Sequence, residues 1–190
     1  MHKGRLEAFS DGVVAILITI MVLELRLPAG ADWAALRSLG PTLCAYVLSF
    51  VYLGIYWNNH HHLFQLVDRV NGSMLWANLH LLFWLSLVPV ATNWMGEHPR
   101  EALPTAAYGV VLFCAAIAFT LLVRVIMHMQ GPHSKLKTAY GRDFKGNISM
   151  ALYAAAILST LVQHRIAWAL YVVVALIWLV PDKRIERVLT

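Results

Sequence analysis

The chain has 190 residues, 59% of them hydrophobic and 13% charged, with a formal net charge of +5. Soluble domains carry about a quarter charged residues, and here the apolar residues come in long blocks, which leaves no room for a soluble domain of useful size. The positive balance fits loops facing an anionic cytoplasmic leaflet rather than a nucleic acid.

A membrane span needs roughly 20 mostly apolar residues, and six such segments can be read: about 6–26, 39–59, 73–95, 104–128, 147–163 and 166–181. Pro28 follows the first. Pro41 and Pro104 fall where a first helical position would be, which suits a residue without an N–H. Pro89 lies inside the third segment and predicts a kink. The fifth and sixth are separated by about Gln163–Arg165 and read as a tight hairpin; Pro181 closes the last. Only closed hydrogen-bonding structures cross lipid, so the expected fold is an all-α bundle, one unit over residues 1–190. No small-residue cleavage site follows the basic start, so the first span is expected to stay in the mature protein.

Lys and Arg set the orientation. With a cytoplasmic N-terminus, eleven of the fifteen fall on inside segments. Only Arg26, Arg37, Arg100 and Arg165 fall outside. Both termini are therefore expected to be cytoplasmic. The run Lys135–Lys145 reads as a basic cytoplasmic loop that touches anionic lipid. Cys44 and Cys114 lie in apolar runs and are expected to act as small hydrophobes, not a disulfide.

The first segment carries Arg5-x3-Phe9-Ser10-Asp11-Gly12 straight into an apolar run. A carboxylate taken into a membrane helix is costly and marks a site. Asp11 reads either as a structural hydrogen-bonding group, with Arg5 nearby to offset its charge, or as a cation-attracting gate. Behind it Gly12, Ile16, Thr19 and Leu23 form one stripe at helical spacing, flanked by Ala15 and Ile20. The stripe either faces the bundle or lines a pore, where apolar rings can gate by dewetting. Glu24 stands at the outer end, as an acidic ring that concentrates cations or as a solvated helix end.

His60-His61-His62 closes the second segment with a polar end. Adjacent histidines project about 100° apart on a helix, so they do not chelate one ion, and no metal is expected. Trp57, Trp76, Trp94, Trp168 and Trp178 lie toward span ends and read mostly as an interfacial belt. No phosphate-binding glycine loop, nucleophile elbow or metalloprotease motif occurs, so no enzymatic activity is expected. An oligomeric channel and an ion-coupled secondary transporter of a small solute remain as function classes.

Arg5-x3-Phe9-Ser10-Asp11-Gly12, with Ala15-Ile16 and Val22-Leu23-Glu24-Leu25, resembles the signature of the transmembrane protein 175 family, the endolysosomal potassium channel and its prokaryotic homologues. Tyr56-Trp57-x2-His60-His61-x-Leu63-Phe64 and His80-Leu81-x-Phe83-x2-Ser86-Leu87-x-Pro89-x2-Thr92-x-Trp94 agree with it. The resemblance spans the chain, and a single six-helix unit matches the prokaryotic form. It implies a homotetrameric cation channel in a bacterial inner membrane, with the first helix of each subunit lining a central pore. It implies that Ile16 forms the narrowest hydrophobic ring and that Thr19 and Leu23 form the next layers outward. Arg5, Phe9, Ser10 and Asp11 would form a supporting network near the cytoplasmic end. One of His60 or His61, with His80 or Asn78, would hydrogen-bond Ser10 and Asp11. K+ and other monovalent cations would be the permeant species. No cofactor is implied, and membrane lipid would be the remaining partner.

Overall fold

A computed structural model describes residues 3–67, 69–131 and 143–179; the loop from Lys135 as far as Arg142, and Pro181, lie outside them. Every regular element is helical: α1 (Lys3–Leu23), α2 (Trp33–Ser38), α3 (Gly40–Gln65), α4 (Gly72–Ser86), α5 (Val88–Glu97), α6 (Ala102–Gln130), α7 (Phe144–Ser159) and α8 (His164–Leu179). Among the described residues four helices are long and apolar enough to cross a membrane: α1, α3, the combined run Gly72–Glu97 and α6. With 16 residues each, α7 and α8 are shorter.

Local chemistry sets the helix ends. Asn71 Oδ1 accepts from the Met74 amide at 3.0 Å, and Asp143 Oδ1 from the Gly146 amide at 3.0 Å, each occupying one of the N–H groups a helix start leaves open. Pro41 opens α3. Pro89 stands at the start of α5, so the third segment is two helices meeting at Leu87. A ring in place of an N–H cannot continue the α4 ladder, and the chain restarts there. The expected ends need correction in two places. The first helix stops at Leu23, and α3 runs on to Gln65, so His60–His62 are interior to its last turns rather than a polar tail. α2 is a six-residue helix, Asp32 capping its start, that the sequence reading does not contain.

At the centre lies α6, packed on α4, α5, α7 and α8. Its inward stripe of Tyr108, Leu112, Ala115, Ala118, Leu122 and Ile126 is fully buried. Small residues let membrane helices approach closely, and polar bonds then join them. Tyr52 donates to the Tyr171 carbonyl at 2.6 Å, Tyr171 to the Thr105 carbonyl at 3.0 Å, and Tyr108 shares a 2.9 Å bond with Ser49. By contrast α1 packs chiefly through one flank, against α3, α4 and α5 among the described residues.

The closest approach in this core is at Gly109. A Cβ there would collide with the Tyr171 hydroxyl and lie 2.9 Å from Ile157 Cγ1. Gly109→Ala is expected to destabilise the fold by about 1–3 kcal/mol, the usual penalty for overpacking. A fall in the midpoint of thermal unfolding in detergent, followed by size-exclusion fluorescence, checks it.

Both cysteines are free, and Cys44 is exposed on α3 rather than buried as a small hydrophobe.

Candidate ion pathway and its supporting network

Two faces of α1 differ. Leu6, Ser10, Val14, Leu17 and Met21 are buried. Gly12, Ile16, Thr19 and Leu23 are all exposed, Ile16 at 58% and Leu23 at 77%. At 100° per residue the centres of these two sets lie roughly 150° apart. The rest of the chain thus covers one side of α1 and leaves the apolar stripe bare. The Thr19 hydroxyl donates to the Ala15 carbonyl at 2.9 Å, so its proton is engaged within the helix and its oxygen lone pairs face outward. Nothing lies within 4 Å of a Cβ built at Gly12.

On the buried side three polar groups form a chain across α1, α3 and α4. Ser10 Oγ donates to the Leu6 carbonyl at 2.9 Å and accepts from Asn78 Nδ2 at 2.9 Å. Asn78 Oδ1 lies 2.8 Å from His60 Nε2. An amide oxygen only accepts, so His60 is assigned its proton on Nε2. All three side chains are buried, and each bond of the chain pairs one donor with one acceptor. Buried polar groups cost free energy unless paired, so this chain specifies one register of α1 against α3 and α4. It borders a cavity of about 10 Å³ lined by Ser10, Asp11, Tyr56, Trp57, His60 and Leu82, among others.

Asp11 takes a different partner from the one expected. Trp57 Nε1–H donates to Asp11 Oδ1 at 2.9 Å. Arg5 is exposed and makes no hydrogen bond or ion pair among the described residues. Six positions earlier in the helix, Arg5 lies about 120° around from Asp11, in the sector of Gly12, Ile16 and Leu23. Asp11 is also eight residues inside α1, not at its end, because the helix begins at Lys3. Phe9 is exposed beside the apolar stripe.

The histidines separate as adjacent helix positions must. His60 turns inward, while His61 is exposed, stacked on Trp57 at 5.9 Å and bonded to Gln65 at 2.9 Å. His80 is also exposed and accepts from Trp84 Nε1 at 3.1 Å, so it is not part of the Ser10 chain. No group of metal-ligating side chains forms among the described residues. Two of the tryptophans read as an interfacial belt also make hydrogen bonds within the chain: Trp57 to Asp11, and Trp178, whose Nε1–H donates to Ser149 at 2.8 Å. Trp57 could have been found from sequence, since it precedes His60 by three residues and so shares a face with it.

Glu24 is the other departure. It continues the last turn of α1, its amide bonded to the Ile20 carbonyl at 3.0 Å. Its angular position is that of Leu6 and Leu17, on the buried side. It borders a cavity between α1, α3 and α5 with Thr42, Tyr46, Thr92 and Asn93. It therefore lies on the buried side of α1, away from the face of Gly12, Ile16, Thr19 and Leu23, and is half-buried.

The pattern of the family described as endosomal/lysosomal potassium channel TMEM175 matches residues 5–89, the stretch that holds α1, Trp57, His60 and Asn78. A protein of Chryseobacterium sp. (strain P1-3), named a potassium channel, is 57% identical over 187 residues, 98% of this chain and 97% of its own. The chain belongs to the TMEM175 family. The rat endosomal/lysosomal proton channel TMEM175 is 29% identical over 147 residues, 68% of this chain but 30% of its own length. Among solved structures, the crystal structure of a lysosomal potassium-selective channel TMEM175 homolog from Chamaesiphon minutus superposes with a TM-score of 0.83. It is 26% identical, and the match covers 94% of this chain and 97% of that one. The family match ends at Pro89, where α4 gives way to α5.

Proposed function

We propose that this chain is one subunit of a homotetrameric, potassium-permeable cation channel of a bacterial inner membrane, with six spanning helices over residues 1–190 and both termini cytoplasmic. The carrying observation is the uncovered stripe of α1. A helix anchored on one side and bare and apolar on the other, at the edge of its own bundle, fits an element that meets copies of itself around an axis. Closed rings are the usual symmetry of such assemblies. In that ring Ile16 forms the hydrophobic constriction, and Gly12, Thr19 and Leu23 complete the wall.

Ser10, Asp11, Asn78 and His60, with Trp57, fix the rotation of α1 and so aim the stripe. His61 and His80 flank this support, and Arg5 and Phe9 stand at the inner end of the pore wall. K+ is permeant rather than a cofactor, other monovalent cations pass with it, and lipid covers the outer helices; no metal or nucleic acid takes part. Full-length similarity to a protein named a potassium channel supports this reading over a coupled transporter.

Potassium efflux from proteoliposomes tests it. The expected result is flux well above that of empty vesicles. Intact tetramer without such flux would sink the channel reading.

A further inference from the structure

A cavity larger than the two beside α1 lies where α3, α6, α7 and α8 meet. It measures about 40 Å³, roughly three times what one water needs on that measure. Clefts between the helices of a bundle, apolar with a few polar groups, are where small ligands bind.

The wall of this cavity is largely aromatic. Tyr52, Tyr56, Phe119, Tyr153 and Trp178 all border it. Tyr52 spends its hydroxyl proton on the Tyr171 carbonyl at 2.6 Å, and Tyr153 is hydrogen-bonded to Tyr52. What these two bring to the space is therefore ring rather than a spare hydroxyl. Tyr56 and Phe119 meet edge to face, their centroids 6.1 Å apart and their planes at 66°, and so form two sides of a corner. The electron-rich faces of such rings attract cations. Trp178 already has one near it, the Lys145 ammonium 5.9 Å from the ring centroid.

Among the residues that border the cavity one carries a formal charge, and it is negative. Asp143 caps α7, its Oδ1 accepting from the Gly146 amide at 3.0 Å. The other polar groups are neutral. Thr120 and Ser149 give their protons to carbonyls of their own helices, at 2.9 and 2.8 Å. Asn59 donates to the Ile55 carbonyl at 2.8 Å. A bare metal ion needs several oxygens gathered around one point, and here rings occupy most of the wall. A methylated ammonium has the opposite need. Its surface is apolar and its charge is single, so rings match the methyl groups and one carboxylate matches the charge.

We propose that this cavity binds an organic cation with a trimethylammonium-sized head. Tyr52, Tyr56, Phe119, Tyr153 and Trp178 form the cage, and Asp143 supplies the counter-charge. The site stands apart from the bare stripe of α1, which packs chiefly on α3, α4 and α5, and it does not depend on the channel reading.

Equilibrium binding of radiolabelled choline to the full chain in phosphatidylglycerol nanodiscs tests the site. The expected result is saturable binding that tetramethylammonium displaces. The uncharged carbon isostere of choline, with a tert-butyl group in place of trimethylammonium, should displace it at least about tenfold more weakly. Asp143→Asn keeps a helix cap, since Asn serves there about as well as Asp, and removes the charge. It should weaken choline binding about tenfold. Phe119→Leu removes a ring and keeps apolar bulk, and should weaken binding about fivefold; it carries the test if Asp143→Asn does not fold. Phosphatidylcholine nanodiscs separate the two sources of the ligand. A lower apparent affinity for choline there identifies the lipid headgroup as occupant, and an unchanged one identifies a free ion. Three outcomes overturn the site: no saturable choline binding in phosphatidylglycerol, an isostere that binds as tightly as choline, or binding that neither Asp143→Asn nor Phe119→Leu weakens.

Discussion

Ile16→Asn is expected to raise potassium flux by roughly tenfold, which corresponds to a barrier lowered by about 1.4 kcal/mol. Ile16 is 58% exposed on the face of α1 that its own subunit leaves bare. In the proposed ring of four, its side chains would converge where an ion must shed water against hydrocarbon. Such a constriction excludes ions by dewetting. An amide at that level offers both a donor and an acceptor, and water can remain in the passage. Because Ile16 is on the uncovered side, the exchange leaves the core of the subunit untouched, and thermal stability in detergent should barely move. Leu17→Asn makes the contrast: one position on, the same amide enters the buried face and should destabilise the fold without opening a path. Flux and K+/Na+ preference measured on proteoliposomes decide the matter. Unchanged values for both in Ile16→Asn would mean that another residue forms the constriction.

Asn78→Leu should produce the larger loss of stability. Asn78 is the middle link of the buried chain, giving a proton to Ser10 and taking one from His60. Leucine is similar in size and makes neither bond. Ser10 keeps its bond to the Leu6 carbonyl, so the group left unpaired is the His60 ring N–H. Leaving a buried polar group without its partner costs about 1–3 kcal/mol. Ser10→Ala breaks one of the two bonds to Asn78 and leaves that amide its bond to His60, so its cost should be the smaller, about 1 kcal/mol, in line with polar bonds between membrane helices. Unfolding midpoints of the two variants rank them. Flux should fall with Asn78→Leu even at temperatures where the protein is folded, because α1 loses the contact that sets its rotation. Wild-type flux and stability in Asn78→Leu would show that the chain is incidental to the pore.

Much of this architecture is legible in the order of the residues. Apolar length marks α1, α3, the α4–α5 run and α6 as spans, since hydrocarbon thickness demands about 20 such residues. Pro89 announces the break between α4 and α5, because a missing N–H has the same consequence wherever the helix packs. The spacing of Gly12, Ile16, Thr19 and Leu23 places them on one face before any coordinates are known. Periodicity defines a stripe but not its neighbour. A bundle-facing stripe and a pore-facing one have the same spacing, and only the packing of Leu6, Val14 and Leu17 on α3, α4 and α5 shows which side of α1 the subunit covers.

Polar partnerships were the part that spacing could not supply. Arg5 looked like the partner of Asp11 because the two are close in sequence and opposite in charge. Helical rotation separates them, and Trp57, 46 residues away, reaches the carboxylate instead. His80 carries as strong a sequence signal as Asn78, yet two positions along α4 turn it out of the core. Glu24 directly follows Leu23, yet one residue of rotation, about 100°, carries it from the exposed face toward the buried side. Span length, kinks and shared faces are properties of a single segment and follow from local chemistry. Which buried groups meet depends on how three helices are rotated against one another, and that is decided by the whole core at once.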